Sequence, residues 1–295
     1  MNTTLRRDAD EIICSSIQAV LPDKAVCRAL EDFQPGGGRV LLVAAGKAAW
    51  QMAHAAVQTL GRVDGGVVVT KYGHVKGRIP GVNCYEAGHP VPDEACVEGC
   101  KKIEALARDI TSRDLVFTIT GSGCGSLMTY PADDITIDEI AHFTHMMQIE
   151  KGVPTSDLNP IRTHIDRFKG GRLSRLFRPA TLVHMTTADP SKQNTPVTRT
   201  TYFEMLEHNT FFPPLSTGTT YADCIAILQK WNAWDKTPVS IQNRLLRGTT
   251  VRDGYGRMVV TAVGDATEAG RVTEQATVQS GEQTAQTDVH GTQIG

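Results

Sequence analysis

The sequence predicts an α/β protein built on a doubly wound, mostly parallel sheet with helices on both faces (Rossmann-like), and two observations carry the prediction. Apolar runs such as Val40-Leu41-Leu42-Val43 and Val67-Val68-Val69 lack the alternation of a strand with one wet face; strands covered by helices on both sides read that way. These runs are separated by segments of helical spacing, and strands that alternate with helices pair in parallel.

Taken in order, Ile12, Ile13, Ile17, Val20 and Leu21 fall near helical spacing and stop at Leu21-Pro22-Asp23, so a packed N-terminal helix and a second short one over 23–31 are expected. Gln34-Pro35-Gly36-Gly37-Gly38 then breaks the chain ahead of a strand over 39–45. A helix over 47–60 follows, then a strand over 66–70, a glycine-rich connection, a short strand around 82–86, a helix over 93–108 and a strand over 115–120. Thr136 caps a helix over 136–150, with Asp138 and Glu139 in its first turn and Gly152 as its stop. Beyond lie a polar segment over 155–171, a strand over 181–186, an irregular stretch over 187–219, and helices over 220–232 and near 239–247. From about residue 265 the composition turns to Thr, Gln, Glu, Gly and Val. A segment of that kind buries too little surface to offset its ordering entropy, so 278–295 is read as a disordered tail.

At 295 residues, 40% hydrophobic and 21% charged, the chain has room for one large α/β domain with appendages or for two domains. Its formal net charge of −2 argues against nucleic acid and acidic membrane surfaces, whose binders concentrate positive charge. The seven cysteines form no CxxC pair and have no histidine at zinc-finger spacing, which reads as reduced thiols of a cytoplasmic protein. The first ten residues carry charge from Arg6 onward around no apolar core, and no apolar run reaches membrane-spanning length.

The candidate chemistry gathers where strands end. Ala45-Gly46-Lys47 runs from a strand into a helix of small residues, and the unpartnered N–H groups of a helix start attract anions that a lysine can neutralise. The spacing is not that of a P-loop, and a plain surface lysine on a βα turn is the alternative. Lys71 and His74 follow the next strand, where His74 reads either as an acid/base or as a structural hydrogen-bonder. Glu86-Ala87-Gly88-His89-Pro90-Val91-Pro92-Asp93 reads either as a second site of chemistry or as structure, in which the prolines stiffen a loop and Asp93 caps the next helix, and the structural role is the stronger reading. Ser122-Gly123-Cys124-Gly125-Ser126 lets backbone amides crowd an anion while two hydroxyls add donors. Cys124 has no evident base partner and is not read as a nucleophile. Arg162, Arg167, Lys169 and Arg172 concentrate positive charge beside Gly170-Gly171, either as an anion site or as a solvated face. Asp133-Asp134 reads as a metal contact or as helix N-terminal charge.

In this order the segments resemble the N-terminal domain of the glycerate 2-kinase family, also described as hydroxypyruvate-reductase-like. The matching residues are Ala45-Gly46-Lys47-Ala48-Ala49 with Met52-Ala53, Thr70-Lys71-Tyr72-Gly73-His74, the segment from Glu86 to Asp93, Ser122 to Ser126, Asn159-Pro160-Ile161-Arg162-Thr163-His164 running into Lys169-Gly170-Gly171-Arg172-Leu173, and Thr219-Thr220-Tyr221-Ala222-Asp223-Cys224. The resemblance implies that ATP with Mg²⁺ phosphorylates the 2-hydroxyl of D-glycerate. It implies Lys47 as the catalytic lysine, with Ser122, Gly123, Cys124, Gly125, Ser126, Asn159, Arg162 and Lys169 lining the cleft beside Lys71 and His74.

Several departures stand beside the resemblance. The family's acidic segment after a strand reads here His184-Met185-Thr186-Thr187-Ala188-Asp189, which leaves Asp189 for Mg²⁺. A polar turn is replaced by Phe211-Phe212-Pro213-Pro214, and Cys124 replaces a glycine. Residues 1–250 are expected to form the family's N-terminal domain and 251–277, around Val263-Gly264-Asp265-Ala266, a vestige of a second one. A second copy or another polypeptide would then complete the cleft. The alternative is a diverged enzyme or binding subunit that recognises a small carboxylate or phosphate without ATP.

Overall fold

A computed structural model describes residues 3–187 and 212–247. Its sheet has five strands: β1 (Val40–Ala45), β2 (Gly65–Lys71), β3 (Val82–Ala87), β4 (Leu115–Thr120) and β5 (Thr181–Thr186). They stand in the order β3-β2-β1-β4-β5 with every pairing parallel, which bears out the expected fold class. The missing alternation in β1 has a direct cause. Leu41, Val43 and Ala45 enter one core while Val40, Leu42 and Ala44 enter another, so each residue of the strand is buried.

On the first face α4 (Glu94–Leu106) packs through Cys96, Val97, Cys100 and Ile103. On the second, α2 (Asp23–Leu30) and α3 (Ala49–Leu60) pack through Val26, Leu30, Met52, Ala53 and Ala56. Phe117 of β4 is fully buried in that second core, where truncation of such a ring to alanine costs about 3–5 kcal/mol. The first helix, α1 (Thr3–Val20), forms as its periodicity predicts but is not packed. It buries none of its residues, and Leu5, Ile12, Ile13, Ile17 and Val20 are all exposed.

The chain runs from β1 outward through β2 to β3, then returns to place β4 on the other side of β1. The junction of β1 and β4 is therefore the topological switch point. Open α/β sheets bind ligands in the crevice beyond the carboxyl ends of the strands at such a junction.

A second set of helices hangs from the carboxyl end of β4. It comprises α5 (Cys124–Leu127), α6 (Ile137–Thr144), α7 (Thr155–His164) and α8 (Arg172–Leu176), with the helices Tyr221–Lys230 and Val239–Leu245 following in the chain. Ile140, Phe143, Met147, Leu158, Ile161, Cys224, Leu228, Ile241 and Leu245 share one apolar cluster separate from the sheet's two. That cluster explains two differences from expectation. The stretch read as polar from 155 contains α7, because Leu158 and Ile161 lie three apart and both enter the cluster. The helix expected over 136–150 is α-helical only to Thr144 and then π-helical over His145–Glu150. Residues 251–277 and 278–295, for which a vestigial domain and a tail are expected, lie outside the described residues.

Candidate functional site

Gly46 ends β1 with φ +137, and a Cβ there would sit 3.1 Å from the backbone of Gly121, so only glycine lets the ends of β1 and β4 approach. The Gly46 N–H donates to the Val69 carbonyl at 3.2 Å and the Lys47 N–H to the Ser122 carbonyl at 2.9 Å. These two amides are therefore engaged within the protein, and what Lys47 offers a ligand is its side chain. That side chain is exposed, and among the described residues it forms no ion pair.

The loop after β2 folds back onto the same turn. Thr70 Oγ1 donates to the Gly46 carbonyl at 2.9 Å, and His74 Nδ1 lies 2.8 Å from the Lys47 carbonyl oxygen. A carbonyl only accepts, so Nδ1 is the donor in this hydrogen bond. Glu86 of β3 pins this loop by accepting from the Val75 N–H at 2.8 Å, and that backbone donor holds its carboxyl below the ordinary range.

The glycine-rich segment after β4 turns at Gly123, with φ +93, where a Cβ would sit 3.0 Å from the His89 ring and 3.2 Å from Lys47 Cγ. Lys47, Gly123 and His89 are thus neighbours. Ser122 is exposed, whereas Ser126 is buried and donates to the Pro90 carbonyl at 2.8 Å, tying the loop to the segment after β3. Cys124 is wholly buried, which pushes its thiol up to about 12 and leaves it protonated at neutral pH. Asp93 caps α4 as expected, accepting from the Cys96 N–H, and it also takes the Gly88 N–H at 3.0 Å and the Tyr72 hydroxyl at 2.8 Å.

From the helical side, α7 brings Asn159 and Arg162 one turn apart, with Asn159 Oδ1 beside Gly125. Arg162 is 8% exposed and donates from Nη2 to Gln148 Oε1 at 2.9 Å. Burial lowers its pKa to about 10, so it stays charged at neutral pH. His89 is held below the ordinary histidine value first by burial and then by the charges of Lys47, Lys71, Arg162 and His74. Basic side chains from three separate segments therefore act on one imidazole. Among the described residues, Lys47, Lys71 and Arg162 have no carboxylate at ion-pair distance.

The rest of the basic run behaves differently. Lys169 is 2% exposed, and its ammonium donates to Asp166 Oδ2 at 2.5 Å and to the Met128 carbonyl at 2.7 Å. Arg167 lies over the Tyr130 ring and pairs with Glu104, while Arg172 donates to the Thr163 carbonyl. Asp133 and Asp134 are partnered by Arg167 and Arg244. Asp189 lies outside the described residues, among which no group of three or more His, Cys, Asp or Glu could hold a metal ion.

A domain family known as the domain of unknown function DUF4147 matches residues 8–198. The chain belongs to the DUF4147 family. Among curated relatives, this DUF4147 chain is 33% identical over 247 residues to a D-glycerate 2-kinase of Thermotoga maritima, a match covering 83% of the chain and 55% of the relative. It is 30% identical to a glycerate 2-kinase of Pyrococcus horikoshii, covering 72% of the chain and 44% of the relative. The crystal structure of a Thermotoga maritima glycerate kinase superposes with a TM-score of 0.66 at 33% identity, over 83% of this chain and 55% of that one. The chain thus spans about half the length of the curated relatives it matches. No helix among the described residues is long and apolar enough to cross a membrane.

Two residues of this DUF4147 site escaped the sequence reading. His89 stands in a segment whose structural role reads more strongly than a catalytic one, although its place two residues past the end of β3 sets it at the carboxyl edge of the sheet. Gln148 carries no signal, because nothing local shows that a π-helical turn delivers it to Arg162.

Proposed function

We propose that this chain carries the cationic face of a glycerate 2-kinase site, where the phosphoryl group of ATP passes to the 2-hydroxyl of D-glycerate. The observation that carries the reading is the convergence of Lys47, Lys71 and Arg162 on His89 beyond the switch point, without a carboxylate to neutralise them among the described residues. Phosphoryl transfer needs positioning and positive charge more than covalent chemistry. Lys47, exposed and without an ion pair among the described residues, follows the charge of the moving phosphoryl group on its flexible stem. Ser122, Gly123 and Gly125 border the anion, while Cys124 and Ser126 hold the loop's shape from beneath it. Asn159 adds a neutral hydrogen-bonding side chain. Lys71 adds charge, and His74 fixes the Lys47 backbone. Lys169 acts at a remove, as half of an ion pair that anchors the turn into α8.

Bound Mg²⁺ would supply charge neutralisation there. The described residues provide no dedicated cage for it, and Asp189 is the remaining protein contact on this reading. Free cysteines throughout the described residues suit a reducing cytoplasm.

The test is ATP-dependent formation of phosphoglycerate by the wild-type chain and by Lys47→Ala. Loss of a charge-stabilising donor lowers kcat by about 10²–10³-fold. Unchanged melting of the variant with that loss supports the assignment, and full turnover by the variant rejects it.

A further inference from the structure

We propose that Arg162 is the receptor for the carboxylate of the substrate, and that Gln148 is the positioning residue that holds its guanidinium. The inference rests on the reading above only in taking the ligand to be a small hydroxy acid.

Arg162 and Lys169 are the two buried cations among the described residues, and they are treated differently. Lys169 has Asp166 at 2.5 Å. Arg162 has no such partner among the described residues. It is 8% exposed, is charged at neutral pH, and has no carboxylate at ion-pair distance among the described residues. An uncompensated buried charge is expensive, and an anionic ligand removes that cost on binding.

Geometry says where the ligand lies. Arg162 and Asn159 share one edge of α7, Asn159 Oδ1 sits beside Gly125, and the charge of Arg162 reaches His89 and Cys124. Arg162 therefore stands on the helix edge that meets the glycine-rich loop at Gly125, while the Lys47 turn meets that loop at Ser122 and Gly123. Of the five N–H donors of Arg162, one goes to Gln148, which leaves a rigid planar fork for a ligand. Such a fork matches a planar carboxylate, whereas the mobile point charge of Lys47 suits a tetrahedral phosphoryl group in motion.

Gln148 makes the arrangement specific. It reaches Arg162 from the π-helical turn His145–Glu150, an interruption of helical register common at functional sites. Its amide is neutral, so it orients the guanidinium without neutralising it. A glutamate at this position would accept the same hydrogen bond but occupy the guanidinium as an internal counter-ion.

That difference supplies the test. Binding of D-glycerate, glycerol and inorganic phosphate is measured by calorimetry and thermal shift on the wild-type chain, Gln148→Glu and Arg162→Lys. The wild type is expected to bind D-glycerate and not glycerol. Both variants should lose at least about tenfold in D-glycerate affinity, the worth of one charge-assisted hydrogen bond. Gln148→Glu should melt no lower than the wild type, and both variants should still bind inorganic phosphate. A merely structural Gln148 would leave D-glycerate affinity unchanged in Gln148→Glu. That result, equal losses for phosphate and D-glycerate, or no D-glycerate binding by the wild type overturns the proposal. The expected binding pattern without any ATP-dependent phosphorylation rejects the kinase reading and leaves the carboxylate receptor standing.

Discussion

The backbone N–H of Lys47 donates to the carbonyl oxygen of Ser122 at 2.9 Å. This one bond ties the loop after β1 to the loop after β4 across the switch point of the sheet. It sets the reach of the Lys47 ammonium, because the stem leaves from a backbone that cannot drift away from the glycine-rich segment.

The closeness of those two loops depends on Gly46. An alanine there meets both an unfavourable φ of +137 and the Gly121 backbone at 3.1 Å, whereas at Gly61, with φ +67, a Cβ meets nothing within 4 Å. Gly61→Ala should cost only local backbone strain, about 1–2 kcal/mol. Gly46→Ala should cost more and should also weaken anion binding. Urea unfolding of the two variants compares them, and equal losses would show that the loops are not in contact.

The ion pair of Asp166 and Lys169 is the most enclosed charge in the described structure, at 1% and 2% side-chain exposure. Asp166 also accepts the N–H groups of Tyr130, Phe168 and Lys169 at 2.9, 2.7 and 3.1 Å. Asp166→Asn strands a buried ammonium and should destabilise the fold by about 3–5 kcal/mol. The double variant with Lys169→Met should recover part of that loss. Denaturation of the single and double variants checks it, and wild-type stability in Asp166→Asn contradicts the assignment.

The cation cluster sets a pH dependence at His89. Burial and four neighbouring basic groups hold its pKa below the ordinary value of about 6.5 in the folded state. The unfolded chain therefore binds the proton more readily, so this group contributes nothing above that value. It subtracts stability as pH falls from about 6.5 toward the folded pKa. A proton NMR titration, assigned with His89→Gln, should give a midpoint below 6.5 that rises with saturating sulfate and rises again in Lys47→Met. A midpoint indifferent to both would mean that the cations do not converge there.

The sequence by itself determined what depends on near neighbours. The unbroken apolar runs in β1 and β2 announced strands covered on both faces, and β4 and β5 fall on the residues expected, 115–120 and 181–186. Glycines at the strand ends marked the loops that gather at the carboxyl edge of the sheet, because positive φ and close backbone approach are local demands. The places of Lys47, Lys71 and the loop after β4 at that edge were legible for that reason.

Only the tertiary structure decided the fate of each charge. Arg162 and Lys169 look alike in one basic run, yet among the described residues one has no counter-ion and the other is locked to Asp166. Gln148 entered the site from a π-helical turn that carries no sign of its destination, and His89 from a loop whose prolines read first as structural. The reason is physical. Strand and helix formation follow from periodicities a few residues long, whereas the energy of a buried charge is set through space, by whichever groups the folded chain brings within a few ångströms of it.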